Sequence, residues 1–153
     1  MSVRETALNA LLAAIKPALE MLEPGAVVGR NLSATHELVT DGEGRLICSL
    51  TEGEAGDVDV LIAGTGSLTQ ETRVAVVDVV LADPDDAQRD ARIDAALDAI
   101  ADAVSADPYL GGVADYALAT PPVFDADRQF AETGVKLMTV PVELYLTSER
   151  TSG

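Results

Sequence analysis

The chain has 153 residues, enough for one hydrophobic core at about 100–200 residues per domain, and 1–153 reads as a single domain. Its 48% hydrophobic and 24% charged residues exclude a largely disordered or fibrous chain. Ten Lys and Arg against 26 Asp and Glu leave a net charge of −16, which repels nucleic acid. Aromatics are 3% with no Trp, so the stacking platforms of single-strand binders and sugar binders are missing. One cysteine, Cys48, closes no intramolecular disulfide. No segment approaches the ~18 uninterrupted apolar residues of a membrane span, and Arg4 and Glu5 interrupt the amino terminus. The expectation is a cytoplasmic product with no targeting signal.

In chain order, Ser2 and Glu5 have the S-x-x-E spacing of a capping box, which starts a helix. Leu8, Leu11, Leu12, Ile15, Leu19 and Leu22 recur at three and four and form its apolar stripe. Pro17 lies inside that pattern, where it removes a donor and crowds the carbonyl of Ala13, so a kink or short break is expected. Pro24 and Gly25 end the helix.

Residues 26–28, 45–50, 58–63 and 72–81 then read as strands. The stretch 40–44 is a turn by composition, and 51–57 reads as an acidic, glycine-containing loop joining two strands into a hairpin. The run 74–81 is apolar on both faces except for Asp78, which marks the central strand. Asp83-Pro84 predicts the start of a second helix, with Asp85 and Asp86 complementing its dipole. Ile93, Leu97, Ile100 and Val104 are its buried stripe, and Asp90, Asp94, Asp98 and Asp102 run along it four apart. Like charges at that spacing cost about 0.2–0.5 kcal/mol per pair, so the stripe must be solvated, screened or useful. Asp107-Pro108 breaks this helix, and residues 109–112 turn the chain into a strand over 113–120.

Pro121, Pro122 and residues 125–134 make a loop before the last strand, in which Met138, Val140, Val142, Leu144 and Leu146 alternate with Thr139, Pro141, Glu143 and Tyr145. Pro141 points to a sheet edge or a bulge. Residues 147–153 read as a flexible tail. The order of elements defines an α+β fold, an antiparallel or mixed sheet with two helices packed on one face.

No enzyme signature emerges. His36 and Cys48 allow a Cys–His pair only arithmetically, and Cys48 lies in an apolar run that suits a small buried side chain. His36 reads as a surface residue. Asp83, Asp85 and Asp86 read as capping groups, and residues 41–44 lack the ligand spacing of a calcium loop, so no metal or other cofactor is expected. Residues 64–67 are glycine-rich without the Lys of a phosphate loop and read as a turn. Asp78 is either a carboxylate with a hydrogen-bonding partner such as Arg73 or a raised-pKa acid in a pocket. The acidity itself fits a face kept soluble in high salt, an acidic partner surface, or a lumen that repels a polyanion.

An N-terminal amphipathic helix, a set of strands, a second helix running into Ala106-Asp107-Pro108-Tyr109-Leu110-Gly111-Gly112-Val113, and the closing strand Val135-Lys136-Leu137-Met138-Thr139-Val140-Pro141-Val142-Glu143-Leu144-Tyr145 resemble the tail terminator proteins of long-tailed bacteriophages and phage-derived gene transfer agents. The resemblance covers nearly the whole chain in length and element order. It implies a non-catalytic virion assembly protein at the head–tail junction, assembled in the host cytoplasm. Six copies would form a hexameric ring that caps the tail tube, stops its polymerisation and offers a head–tail joining surface to the connector, while DNA passes through without specific binding. The partners implied are further copies of the chain, the tail tube protein and the head–tail connector, with no membrane. Asp41, Glu43, Glu52, Glu54 and Asp57 are the expected partner-contact residues, and the stripe Asp90, Asp94, Asp98 and Asp102 faces either lumen or solvent. The alternatives are a head-closure or tail-completion adaptor, or a small acidic soluble ligand-binding domain or enzyme of a salt-adapted bacterium.

Overall fold

A computed structural model describes residues 2–32, 44–63, 66–126, 129 and 134–151. The elements are α1 (Val3–Leu22), β1 (Val27–Arg30), β2 (Leu46–Ala63), β3 (Gly66–Ala82), α2 (Asp86–Ala106), β4 (Tyr116–Ala119) and β5 (Val135–Thr151), with a short 3₁₀ turn at Leu110–Gly112. The five strands form one mixed sheet in the order β1-β2-β3-β5-β4. Only β1 and β2 are parallel; the other pairs are antiparallel. The fold is α+β, and β3 is the central strand.

Helix α1 begins where the spacing predicts, with the Ser2 hydroxyl accepting from the Glu5 amide at 3.1 Å. The Glu5 carboxylate is engaged elsewhere, by Arg30 Nη1 at 2.8 Å, and that hydrogen bond holds its carboxyl below the usual carboxylate range. Ala7, Leu8, Leu11, Ile15 and Leu19 are fully buried or nearly so, while Leu12 is only partly covered and Leu22 is exposed. The break expected at Pro17 does not occur, and α1 is continuous to Leu22. Pro17 and Ala13 both lie on the exposed side, where water can satisfy the carbonyl that proline leaves unpaired. Ile15 and Leu19 pin the helix on either side of it.

Register divides the side chains of the sheet cleanly. Leu46, Cys48 and Leu50 of β2 pair with Leu81, Val79 and Val77 of β3, which pair in turn with Lys136, Met138 and Val140 of β5. This face, with Ala75, Val142, Leu144 and Leu146, packs against both helices in one core that includes Ile93, Ala96, Leu97, Ile100 and Val104 of α2. The two helices therefore share one face of the sheet. Fully burying aliphatic side chains of this size stabilises by about 1.5–3 kcal/mol each, and among the described residues no aromatic side chain joins the core.

Four local expectations are corrected. The acidic loop expected at 51–57 is absent, because β2 runs unbroken through it and absorbs the surplus residues in two bulges, between Glu52 and Ala55 and between Ala55 and Val58. Gly53 makes the first bulge possible, since a Cβ there would lie 2.9 Å from the Val74 carbonyl and 3.0 Å from Val76 Cγ2. Gly53→Ala is expected to destabilise the chain by about 1–2 kcal/mol in urea unfolding, with an unchanged m-value. Helix α2 is capped by Asp85, which accepts from the Gln88 amide at 3.0 Å, so the helix starts two residues later than Asp83-Pro84 suggests. Asp83 instead accepts from the Asp85 amide at 2.9 Å.

The other two corrections concern β5. It continues to Thr151, which pairs with Gly66, so residues 147–151 are strand and not a free tail. Pro141 sits in this inner strand, opposite Val76 and next to no bulge. The Pro141 carbonyl accepts from the Thr120 amide at 2.9 Å, so the missing donor faces the β4 side just past the end of β4, where Pro121 takes the chain away. No ladder bond of β3 is lost.

Candidate functional site

Helix α2 is positioned by Arg92. Its guanidinium donates to Glu23 at 2.5 and 3.1 Å, to Asp83 at 3.3 Å and to the Gly44 carbonyl at 2.7 Å. One side chain thereby ties the end of α1, the end of β3 and the turn before β2 to the first half of α2. The Glu23 hydrogen bond raises the Arg92 pKa above its ordinary value, with Asp83 adding to it. At the other end of α2, Leu110, Gly111 and Gly112 take φ values of 48°, 70° and 94°. Asp107 accepts from the Gly111 amide at 2.9 Å, which fixes this left-handed corner, and the Leu110 side chain is buried in the core.

The residues singled out in the sequence disperse. Asp41, Glu43 and His36 lie outside the described residues. Glu52 does not project from a loop tip. It pairs with Arg4 of α1 at 3.1 Å and with Arg73 of β3 at 3.8 Å, so it ties helix to sheet. Glu54 and Asp57 fall within β2, in the bulged stretch, and the loop on which they were placed is absent. Asp90, Asp94, Asp98 and Asp102 are all exposed, and Asp90 is paired with Lys136 at 3.2 Å. The stripe lies along the exposed surface of α2.

Cys48 and Asp78 lie on opposite faces of the sheet, since Cys48 shares its rung with Val79 and Asp78 shares its rung with Ser49. Cys48 is fully buried, and burial pushes its thiol up to about 12. A thiol-reactive disulfide reagent at pH 8 is expected to leave the folded protein unmodified and to titrate one thiol per chain after unfolding. Asp78 accepts from the Thr139 hydroxyl at 2.6 Å, while Arg73 bonds Glu71 at 3.0 Å. Among the described residues no three His, Cys, Asp or Glu side chains come together as metal ligands, and no helix is long and apolar enough to cross a membrane. An open pocket of about 470 Å³ is lined by Arg89, Asp90, Phe124, Gln129, Lys136 and Met138, with Lys136 already paired to Asp90.

The face of the sheet opposite α1 and α2, on which no helix packs among the described residues, carries the feature that the sequence reading missed. At one end Ile47, Val80 and Leu137 form a second small buried cluster. Beside it the Gln129 carboxamide donates to the Leu137 carbonyl and accepts from its amide, at 3.0 and 2.9 Å, replacing β4 as the neighbour of β5. At the other end the face is open. Tyr116 pairs across β4 and β5 with Tyr145, Leu118 with Glu143, and Val123 bridges to Thr139. Tyr116, Leu118, Val123 and Tyr145 are 38–48% exposed, next to the half-buried Val74, Val76 and Pro141. Tyr109, more than half exposed, meets Tyr116 edge to face at 6.4 Å, whereas Phe124, also more than half exposed, lies by Lys136 on the side of the sheet that faces α2.

Phe124 and the three tyrosines are the described aromatic residues, and all four are exposed. Aromatic side chains ordinarily supply core volume and are enriched at protein interfaces. Here Tyr116 and Tyr145 lie on a sheet face that no helix covers among the described residues. The available sequence signal was negative: every periodic core stripe is aliphatic, so the few aromatics had to lie elsewhere.

No protein-family model matches the chain, and no curated protein matches it. The class that fold and surface define is an α+β domain with an open, aromatic-edged sheet face.

Proposed function

We propose that this protein is a ring-forming tail terminator, a non-catalytic assembly protein of a long-tailed phage or phage-derived particle. In this reading copies of the chain close into a hexameric ring on the tail tube, halt its growth and join it to the head connector. The observation that carries the reading is the open sheet face bearing Tyr116, Leu118, Val123 and Tyr145, an apolar surface with aromatic anchors of the kind that protein partners bury. A cyclic ring uses two different patches of each subunit, and this chain offers an open sheet face separate from the acidic face of α2. The exposed carboxylates of Asp94, Asp98 and Asp102 suit a protein that DNA must pass without sticking.

Electron microscopy of particles assembled with and without the gene tests this directly. Loss of the gene is expected to leave heads unjoined, with tubes of uncontrolled length. Unjoined tails of normal length would transfer the role to a head-closure or completion adaptor, and unaffected particles would overturn the assembly reading.

A further inference from the structure

The sheet continues past its helix-packed body. The core under the helices reaches Leu50 on β2, Ala75 on β3 and Leu146 on β5. Beyond the bulges the three strands run on together, with Val58, Glu71 and Leu146 on one rung and Ala63, Gly66 and Thr151 on the last. Each strand of this arm is six residues long, about 20 Å at the rise of a β-strand. The edges of the body are short and covered, by β1 along 47–50 and by β4 along 142–145. Among the described residues no strand pairs with the outer side of β2 beyond Leu50 or of β5 beyond Tyr145. Long uncovered edges of this kind pair with other chains.

The hydrogen bonds of the body identify which backbone groups those edges present. In an antiparallel ladder the amide and carbonyl of one residue point to the same side, and successive residues alternate. On β5 the carbonyls of Thr139, Pro141 and Tyr145 all accept from the side away from β3, bonding Val123, Thr120 and Asp115. The same alternation turns Thr147, Glu149 and Thr151 outward. On β2 the Leu50 carbonyl accepts from Asn31 and so faces away from β3, opposite Val77. The β2 residues paired with the odd positions Glu71, Thr69 and Ser67 share that direction, so Val58, Val60 and Ile62 present the outer groups. Each edge therefore offers three outward residues, those of β2 on the rungs of Glu71, Thr69 and Ser67 and those of β5 on the intervening rungs of Gln70, Leu68 and Gly66, the one-residue stagger by which a parallel ladder interdigitates.

We propose that the outer edge of the β5 arm in one copy pairs with the outer edge of the β2 arm in the next, so that a second copy of this chain is the partner of both edges. The match is built into the topology. Strands β2 and β5 are both antiparallel to β3, hence parallel to each other, and a copy rotated about an axis along the strands brings its β2 alongside β5 of its neighbour in a parallel ladder. The contact is head-to-tail, and such a contact closes into a ring when the rotation closes. This deepens the ring reading and rests on it for closure. In a hexameric ring the arms would build a barrel of about eighteen strands, a size that leaves an open channel.

The test uses edge prolines, which remove an outward donor without touching the ladder to β3, as Pro141 already does on β5. Val60→Pro blocks only the β2 edge and Glu149→Pro only the β5 edge. In native mass spectrometry and light scattering at the highest soluble concentration, the wild-type chain is expected to oligomerise. Each variant alone is expected to be monomeric, with self-association weakened at least about tenfold. Their equimolar mixture is expected to stop at a heterodimer, because one intact β5 edge meets one intact β2 edge; that heterodimer also shows that both variants fold. Variants that keep the wild-type oligomer overturn edge pairing while leaving the terminator reading to the gene-deletion experiment. A wild-type chain that stays monomeric also overturns it, as does a mixture with no heterodimer.

Discussion

Leu118→Asp is expected to leave the isolated chain folded and to abolish its role in particle assembly, giving the phenotype of gene loss. Leu118 is 44% exposed on β4, opposite Glu143 and beside Tyr116 and Tyr145, so a carboxylate there costs little in the free protein. In a closed interface the same carboxylate would be desolvated without a cation, and its nearest cross-strand neighbour, Glu143, is also acidic. Loss of about 2 kcal/mol or more per contact is enough to disable an assembly in which each subunit repeats the contact. The check pairs two measurements. Circular dichroism and thermal unfolding of the variant should match the wild type, while micrographs of particles carrying it should show unjoined heads. Normal particles would remove the open sheet face from the mechanism.

Arg92→Met is expected to lower stability by about 2–3 kcal/mol, at the lower end for breaking a buried ion pair because the guanidinium is about a quarter exposed. The substitution preserves most of the side-chain volume but leaves Glu23 and Asp83, both largely covered, without their shared cation. It also removes the donor to the Gly44 carbonyl, so the turn entering β2 loses an anchor. For a chain of this length the expected fall in thermal midpoint is roughly 5–10 °C. A double replacement, Glu23→Gln with Arg92→Met, should recover part of the loss. Full independence of the two changes would show that their contact carries little stability.

The two predictions separate the parts of the molecule. Arg92 and the aliphatic core under α1 and α2 hold the fold together; the open face and the arm carry the proposed contacts. The acidic stripe belongs to neither. Asp94, Asp98 and Asp102 are solvent-exposed and spaced four apart, which weakens α2 slightly while keeping its outer surface strongly negative.

Much of the fold was legible because it depends on local periodicity. The stripes Leu8-Leu11-Ile15-Leu19 and Ile93-Leu97-Ile100-Val104 are buried as their spacing requires, and the alternation through Val140, Val142, Leu144 and Leu146 marks the face of β5 beneath the helices. The apolar run of β3 announced the central strand, since a strand flanked by neighbours on both sides and packed on both faces has little room for polar residues. The Ser2 cap and the corner at Asp107 followed from side-chain oxygens satisfying free amides, a short-range effect.

What the sequence by itself determined about this protein is therefore its α+β class, its two helices, its central strand and most of the side chains beneath the helices, because hydrophobic period and capping act within a few residues. Tertiary structure alone decided that acidic residues 51–57 continue β2 through two bulges, that Pro141 is harmless inside the sheet, and that residues 147–151 extend β5. In each case the outcome depends on which strand lies alongside: Val74 approaching Gly53, β4 ending beside Pro141, and β3 offering partners as far as Gly66. The open face around Leu118 is of the same kind, since exposure there follows from the placement of both helices on the opposite side of the sheet.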